Sequence, residues 1–562
     1  MDYKFSSNPK VNRTLTQVVE NLSQLAEEQL RHIDQLTAIG KSLSSETDID
    51  KIFDLILDEG IAFTKADAAT IYKVSDDGQF LEYEIAFNAT MNLRKGGSNG
   101  PISWPSIALY DEFDKPIFSY IVASVYHSRQ SLAFDDVYEA EGYDVTGTKQ
   151  SDARNGYRCK SMITIPLMNH EEEVLGVMQF INALDEDGNI ISFTDEHMTM
   201  LQSLASQAAI ALSNRKLIEN LENLLMQFIR SIAVAIERKS KYSSDHIMRV
   251  AMLTEMLADK INQATDGHFA DVHFSPNELK EISMAGWMHD MGKIITPEFV
   301  MDKSRKLERN VDGIELVKER FARLQLLIRY LRIQMHESEL HDFIRDKIDP
   351  GQTPQSIDSF LEDSLQFLME LNVGGEFVPD ETISRMESLA AIDFEYEGNR
   401  YFLLDELDKM NLSIRRGTLN QDELKVMRNH VSITWEMLSQ LSFPKKYQNV
   451  AFYASTHHET LNGKGYPKGL EAPKLPLQSR MIAIVDIFEA LTAADRPYKT
   501  PKTISEALTI MARLVKFGDL DRDLVDFFID SGLCMEFAQK HMKPDQIDCV
   551  DATNIKSIYH LA

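Results

Sequence analysis

Apolar residues at helical spacing open the chain. Between Val11 and Leu43 they recur every three or four positions among Glu and Gln, which predicts an amphipathic helix within residues 1–45. Such a face packs on its own domain or pairs with a second helix, and the pattern alone favours neither interpretation. The apolar positions are Val11, Leu15, Val18, Leu22, Leu25, Leu36, Ile39 and Leu43.

The pattern changes over residues 46–212, where short apolar runs typical of β-strands appear. Strands are predicted at 68–72, 161–167 and 174–182, and Asp-Asp-Gly and Asp-Gly-Asn segments mark turns. We therefore expect an α+β domain in which helices flank an antiparallel sheet.

A helix without Gly or Pro is predicted from about Asp195 through Phe228, and residues 213–230 are predicted to connect this domain to the next. A long helix of this kind can carry a rotation or a register shift between domains. Residues 231–515 are predicted to be mostly helical, and a helical extension follows over 516–562. His289 and His457 each follow an apolar helical run, which predicts a buried metal core in an all-α bundle.

Composition and charge narrow the possible partners. The 562 residues include 59 Lys and Arg against 87 Asp and Glu, a net charge of −28. This balance argues against nucleic acid and anionic membranes, because both require excess positive charge. Three cysteines without a CxxC pair indicate a reducing compartment. Because the chain also has no long apolar run, we expect a cytoplasmic protein without a membrane partner.

Histidines and carboxylates in the second half form a metal-site pattern. Together they suit Fe, Mn or Zn, and the set is too large for one ion. Adjacent helical residues such as His289 and Asp290 point about 100° apart, so both serve one site only near a helix end. Gly292 is expected to provide that end as a left-handed C-cap, and Lys293 to meet a phosphate oxygen. The candidate ligands are Glu237, His246, His289, Asp290, His430, His457, His458 and Asp486.

Five segments over about residues 228–515 resemble the HD-GYP family of phosphohydrolases. They are IERKSKYSSDHIMRV, AGWMHDMGKIITPEFVMDKSRKL, GTLNQDELKVMRNH, HHETLNGKGYPKGL and LPLQSRMIAIVDIFEALTAADRPYK. The resemblance implies a helical domain with a buried centre of two or three divalent metals, often iron. It also implies hydrolysis of cyclic di-GMP to pGpG, sometimes onward to GMP, by a hydroxide that the metals share.

The same resemblance implies roles for individual residues. All eight candidates match metal ligands; Asp290 matches the bridging carboxylate, and Glu237 matches the extra ligand of a third metal. Asp290 and Lys293 are the expected catalytic residues, and Tyr466 belongs to the loop that shapes the substrate cleft. The cations that match phosphate contacts are Lys293, Arg496 and Lys499.

The chain departs from the family pattern in two places. An insert of about 110 residues, at about 308–416, separates segments that the family connects directly; we expect a mostly helical lid or dimer surface, with His336 and His341 on a solvated face. HHETLNGKGYP also replaces a common Trp-Asp-Gly-Ser-Gly-Tyr-Pro, so 3',3'-cyclic GMP-AMP is an alternative substrate. A dinucleotide-binding protein without turnover is a second alternative, but it predicts missing ligands, and all eight positions carry a suitable donor.

Residues 46–212 resemble a GAF domain, a small-ligand sensor module. The resemblance rests on SMITIPL, VLGVMQFINA and FTDEHMTMLQSLASQAAIALSNRKL, and it implies regulation of the phosphodiesterase by an unknown small ligand. Asn182 is followed by Ala183, where cyclic-nucleotide-binding members have Lys, so cyclic-nucleotide binding is a minority option and a dimerisation module is the alternative. A homodimer is expected. Cys159 is either a packed residue or part of a chromophore or redox site.

Overall fold

The computed structural model describes residues 8–46, 48–240, 245–375, 377–494 and 501–560. The chain divides into two compact units, Met1–Leu224 and Leu225–Ala562. The helices that begin in the first unit are α1 (Pro9–Ser45), α2 (Ile49–Thr64), α3 (Ile121–Ser128), α4 (Thr146–Asn155) and α5 (Asp195–Glu237). Its strands are β1 (Ala66–Val74), β2 (Phe80–Asn88), β3 (Leu93–Gly96), β4 (Ile107–Ala108), β5 (Leu132–Phe134), β6 (Met162–Met168), β7 (Val174–Leu184) and β8 (Ile190–Ile191).

Within the described residues, the first unit contains one antiparallel sheet of eight strands. Its main order is β3-β2-β1-β7-β6-β5, with β4 beside β2 and β8 beside β7. The three predicted strands form its centre, where Met178 of β7 pairs with Ile71 of β1 and Ile165 of β6. Phe53 of α2 and Leu204 of α5 pack in one apolar cluster with these strands. The predicted α+β fold is confirmed.

Helix α1 has two different halves. Asn8 caps it by accepting a hydrogen bond from the backbone N–H of Lys10, at 3.1 Å. Near its end, Ile39 and Leu43 are buried in the core of the first unit, whereas Leu22 is exposed. The last turns of α1 therefore pack on their own domain, and Val11, Leu15, Val18 and Leu22 face solvent in this chain.

The predicted long helix is confirmed, and it continues to Glu237 as α5. Leu204, Ala208 and Leu212 bury its first part against the sheet. Among the described residues, no helix is both long and apolar enough to cross a bilayer.

The second unit is almost entirely helical. Its helices are α6 (His246–Asn262), α7 (Pro276–Met288), α8 (Glu298–Met301), α9 (Ile314–Gln334), α10 (Glu337–Lys347), α11 (Ile357–Asn372), α12 (Asp380–Ala390), α13 (Glu406–Leu412), α14 (Gln421–Arg428), α15 (His430–Ser439), α16 (Val450–Ala454), α17 (Leu477–Thr492), α18 (Ile504–Lys516), α19 (Arg522–Asp530), α20 (Leu533–His541) and α21 (Ala552–His560). Two short strands, β9 (Asp393–Tyr396) and β10 (Asn399–Phe402), pair as a hairpin.

The ligand-bearing helices share one apolar core. Leu253 of α6, Ile282 of α7 and Ile484 of α17 are fully buried in it. Phe528 of α19 and Tyr559 of α21 belong to the same cluster, so the helices after residue 516 pack as part of this bundle.

The insert folds around a separate core. Phe321, Leu361 and Leu403 are buried in a cluster formed by α9–α13 and the hairpin. Its two ends meet, because the Thr418 hydroxyl donates to the carbonyl oxygen of Lys303 at 2.8 Å. The insert therefore leaves the bundle and returns to it at the same place. His336 and His341 of the insert are exposed, as predicted.

Candidate metal centre

Seven of the eight candidate ligands converge at one place in the bundle. His246 begins α6, His289 and Asp290 follow the last residue of α7, and His430 begins α15. His457 and His458 follow α16, and Asp486 lies within α17. They form three overlapping groups in which the potential ligand atoms lie within 4.8 Å of one another: His430, His457 and His458; His246, His289 and Asp486; and His289, Asp290 and His457.

Asp290 lies between these groups, and its two oxygens face different histidines. Its Oδ2 is 3.2 Å from Nε2 of His289 and 3.4 Å from Nε2 of His246. Its Oδ1 is 3.3 Å from Nε2 of His430. The side chain is 2% exposed. This position suits a carboxylate shared between two ions.

The protonation of three imidazoles follows from their hydrogen bonds. Nδ1 of His289, His430 and His457 lies 2.7, 2.6 and 2.7 Å from the carbonyl oxygens of Gly286, Met427 and Ala454 respectively. A carbonyl only accepts, so each Nδ1 carries the proton and each Nε2 keeps a lone pair. An outer hydrogen bond of this kind orients a metal-binding histidine.

Four buried polar atoms in this centre have no hydrogen-bond partner in the described part of the chain. They are Nε2 of His289, His430 and His457, and Oδ1 of Asp290. Buried polar atoms are normally paired, because burying one without a partner costs about 1–3 kcal/mol. Convergent imidazole lone pairs and a carboxylate oxygen are the donors that divalent Fe, Mn or Zn accepts. The residues present therefore fit a metal centre.

Comparison with known families agrees with this arrangement. A GAF-domain model matches residues 46–213, and two HD-domain models match residues 244–364 and 408–524. The chain joins a GAF domain to an HD domain. The first HD match contains His246, His289 and Asp290, and the second contains His430 and Asp486. The two matches thus cover both ligand-bearing parts of the bundle.

The curated relatives of the HD domain have related names. The 3'3'-cGAMP-specific phosphodiesterase 1 of Vibrio cholerae is 38% identical over 113 residues, 20% of this chain and 25% of its own length. The cyclic di-GMP phosphodiesterase response regulator RpfG of Xanthomonas campestris pv. campestris is 41% identical over 98 residues, 17% of this chain and 25% of its own length. This chain thus spans a quarter of each relative.

Among solved structures, the GAF domain of an Acinetobacter phosphoenolpyruvate-protein phosphotransferase is 14% identical. It covers 34% of this chain and 98% of its own chain, with a TM-score of 0.25.

The role predicted for Gly292 requires correction. The predicted helix end is present, because α7 stops at Met288 and His289 is its C-cap. Gly292, however, is not left-handed and lies in a short 3₁₀ helix, Met291–Ile295. A Cβ at this position would lie 1.9 Å from the carbonyl oxygen of His430. Glycine is thus required for the close approach of α15, which brings His430 to Asp290.

Glu489 supports His246 from outside the centre, and sequence analysis missed it. Its carboxylate binds Nδ1 of His246 and accepts a hydrogen bond from Nε of Arg249 at 2.6 Å. Although burial opposes ionisation, the contacts with His246 and Arg249 lower the pKa of Glu489. Glu489 follows Asp486 by three residues on α17, as Arg249 follows His246 on α6. This i, i+3 spacing places each pair on one helix face and is the signal that could have revealed the contact.

The surroundings of His457, His458 and Asp290 determine whether each side chain is charged. It lowers the pKa of His457 well below its usual range and that of His458 to about 4. Both rings are therefore neutral near pH 7, the form in which imidazole binds a metal. Burial opposes ionisation of Asp290, but the Lys293 ammonium holds the pKa of its carboxyl well below the usual range.

Lys293 and Tyr466 lie beside the ligands. Nζ of Lys293 is 2.5 Å from Oδ2 of Asp290, and this lysine side chain is 25% exposed. The Tyr466 ring lies 4.9 Å from the His458 ring, measured between centroids. A partly exposed ammonium and an aromatic ring therefore border the centre.

Two further residues that sequence analysis missed shape this border. Glu459 accepts hydrogen bonds from the backbone N–H groups of Lys468 and Leu470, at 2.7 and 2.9 Å, and so holds the loop around Tyr466. The Arg428 guanidinium lies 5.3 Å from the centroid of the Tyr466 ring. Glu459 lies in the segment HHETLNGKGYPKGL and Arg428 in GTLNQDELKVMRNH. Only the fold brings Arg428 beside Tyr466 of the other segment.

One predicted ligand does not converge with the other seven, and two predicted phosphate contacts are not described. Glu237 is buried beside α6, where its carboxylate accepts the backbone N–H of Ile247, so its role as a ligand of a third ion remains a prediction. Arg496 and Lys499 lie outside the described residues.

Proposed function

We propose that this protein is a metal-dependent phosphodiesterase of the HD-GYP type. Its proposed reaction is hydrolysis of cyclic di-GMP to pGpG, with GMP as an alternative end product, under control of a small ligand at the GAF domain. The convergence of four buried donor atoms without partners among the described residues carries the proposal. Two or three divalent ions would satisfy them, with iron as the first choice and Mn or Zn as alternatives.

The proposed ligands divide between the two sides of Asp290. His246, His289 and Asp486 would hold one ion, and His430, His457 and His458 would hold another. Asp290 would bridge them, because its oxygens face His289 and His430 separately. Glu237 is the proposed extra ligand of a third ion, since it contacts the first turn of α6 beside His246.

Ions bound here would supply Lewis acidity toward phosphate oxygens and lower the pKa of water. The protein contributes the surroundings of the reaction. The Lys293 ammonium is positioned to stabilise charge that develops on a non-bridging phosphate oxygen. Tyr466 is proposed to contact the substrate beside His458, together with the cations Arg496 and Lys499.

A second candidate substrate is 3',3'-cyclic GMP-AMP. Relatives from Vibrio cholerae that are 38% and 35% identical in the matched region are named 3'3'-cGAMP-specific phosphodiesterases 1 and 3. Other relatives with 41% and 37% identity are named cyclic di-GMP phosphodiesterases. Identity therefore does not separate the two substrates, and a direct competition assay is required.

The proposal is tested with the full chain purified without oxygen. Metal content is measured by mass spectrometry, and hydrolysis of both dinucleotides is followed by chromatography of the products. We expect at least two ions per chain and formation of a linear dinucleotide. His457→Gln should abolish both, whereas the matched control His341→Gln, an exposed histidine of the insert, should change neither.

Two outcomes would contradict the proposal in different ways. A fully metal-loaded protein that binds cyclic dinucleotides without hydrolysing them would support a binding protein. A protein without bound metal, whose activity survives His457→Gln, would refute the assignment of the centre.

A further inference from the structure

A cavity of about 910 Å³ lies where the insert rejoins the helical bundle. Its lining comes from Phe377, from Met410 of α13, from the connecting residues 413–420 and from the first turn of α14. Pockets that hold small molecules usually have volumes of about 300–1,000 Å³. The cavity is therefore large enough for a ligand of nucleotide size, and it is lined by none of the candidate metal ligands.

The apolar part of this lining is partly open to solvent. Phe377 is 60% exposed and Met410 is 44% exposed, and Leu419 and Leu424 line the same cavity. A flat ring that packs on the Phe377 ring would remove apolar surface from water on both sides of the contact. The lining therefore suits a ligand with a planar aromatic part.

Two consecutive arginines give the cavity its charge. Arg415 is paired with Asp380, whose Oδ1 lies 2.5 Å from its Nη2. Arg416 is exposed, and its guanidinium forms no hydrogen bond or ion pair with the described residues. The acidic residue of the lining, Asp422, is paired with Lys425 at 3.1 Å. Arg416 is therefore available to an anion, and a guanidinium binds phosphate through two parallel hydrogen bonds.

The helix end at this cavity is already capped. The Asn420 side chain accepts hydrogen bonds from the backbone N–H groups of Asp422 and Glu423, at 3.0 Å each. The feature that favours an anion is thus the Arg416 guanidinium and not the end of α14. We propose that the cavity is an effector site for a nucleotide, with the base against Phe377 and the phosphate at Arg416.

An occupant of this cavity would contact the helix that orients one of the candidate metal ligands. Both carboxylate oxygens of Glu423, on α14, lie 2.8 Å from Nζ of the buried Lys303. Further along α14, the carbonyl oxygen of Met427 holds Nδ1 of His430 at 2.6 Å. Binding beside the first turn of α14 is therefore expected to change the affinity of the centre for metal. This effect rests on the proposed metal centre, whereas binding at the cavity does not.

Binding is tested by isothermal titration calorimetry of the full chain, with GMP as the probe. The His457→Gln background disables the metal centre, so that GMP bound there does not contribute. We expect one GMP per chain, and weaker binding of both guanosine and inorganic phosphate. Arg416→Glu should weaken GMP binding by at least about 10-fold, because it removes charge-assisted hydrogen bonds. Arg329→Glu, an exposed arginine of α9 outside the cavity, is the matched control and should bind GMP as before.

The effect on the centre is tested in the chain with His457 intact, by competition for metal with a chelator. Saturating GMP should change metal affinity by at least about fivefold, and Arg416→Glu should abolish this change while Arg329→Glu retains it. Absence of GMP binding in the His457→Gln background, or binding that Arg416→Glu leaves unaltered, would overturn the site. Binding that leaves metal affinity unchanged would overturn its role as an effector site.

Discussion

Asn182 in the GAF domain and His457 in the HD domain are both buried, yet their polar atoms are used differently. Asn182 donates to the Tyr157 hydroxyl at 3.0 Å and the Arg158 carbonyl at 2.8 Å, and it accepts from the backbone N–H of Lys160 at 2.8 Å. His457 is bonded only on one side, through Nδ1, and its Nε2 has no partner among the described residues. The first arrangement holds a loop, and the second leaves a lone pair available.

The two domains differ in whether their unpaired buried polar atoms lie close together, as well as in how they are buried. The GAF domain also has buried oxygens without a partner in the described part, those of Ser161 and Gln207, but they are neutral and occur singly. In the HD domain, four such atoms meet around Asp290, and three of them belong to rings whose other nitrogen is already bonded. A metal-binding histidine has one ring nitrogen held by a hydrogen bond and the other available to the metal, whereas a structural polar residue has all its polar atoms paired.

The largest expected effect follows from removing the shared carboxylate oxygen. Asp290→Asn keeps the shape of the side chain but offers one oxygen instead of two. Loss of an outer partner costs about 10–100-fold in metal affinity or activity, so we expect a loss of at least about 100-fold in kcat/KM here. Metal content should fall as well. Asp342→Asn, on the exposed face of α10, is the control, and equal activity of both variants would remove Asp290 from the centre.

A smaller effect is expected from the outer contact of His246. Glu489→Gln retains size and hydrogen bonding but removes the negative charge that His246 and Arg249 share. We expect metal affinity, measured by competition with a chelator, to fall by about 10–100-fold. Glu315→Gln, an exposed carboxylate of the insert, should leave it unchanged. Unaltered affinity in Glu489→Gln would mean that this carboxylate only stabilises the fold.

These two residues also mark the limit of what the sequence predicts. Asp290 lies in a short motif next to His289, and local helix geometry explains why both reach one centre. Glu489 meets His246 across 243 positions of sequence, and only the packing of α6 on α17 brings them together. The left-handed C-cap predicted at Gly292 is wrong, because glycine is needed there for the close approach of the α15 backbone, which belongs to a separate helix.

The fold divides in a similar way. The central strands and the long helix α5 could be predicted, because apolar periodicity reports which face is buried. The interruption of a motif predicts where the insert lies. Its separate core around Phe321 and Leu361 depends on which apolar helix faces pack against each other. Composition and spacing carry no information on that choice, which is made by tertiary packing.

The structural role of Asn182 in the GAF domain is tested by removing its side-chain amide, which is hydrogen-bonded at both its oxygen and its nitrogen. Asn182→Ala deletes three hydrogen bonds, and we expect the free energy of unfolding of the GAF domain to fall by about 1–2 kcal/mol. Asn182 has a φ of 57°, and glycine tolerates this left-handed backbone. The free energy of unfolding of Asn182→Gly should therefore fall by about 1 kcal/mol less than that of Asn182→Ala. Metal content should not change. Denaturant unfolding and metal analysis of the two variants check this, and metal loss in either would contradict a purely structural role.

The smallest expected effect concerns Lys306, a buried charge outside the metal centre. Its Nζ donates one long hydrogen bond, 3.4 Å, to the carbonyl oxygen of Leu412, and burial lowers the pKa of Lys306 to about 8. The unfolded chain, with a lysine pKa near 10.4, binds more protons between these values, so the lysine destabilises the fold below pH 8 and stability rises with pH up to about 10. Lys306→Met should remove that rise and, because it also leaves the Leu412 carbonyl unpaired, stabilise the protein at pH 7 by only on the order of 1 kcal/mol. Urea unfolding of both proteins at pH 7 and pH 9.5 measures the difference. If the wild type gained no stability between these pH values relative to Lys306→Met, the Lys306 ammonium would be solvated in solution. Burial alone would then not identify charges that destabilise this domain.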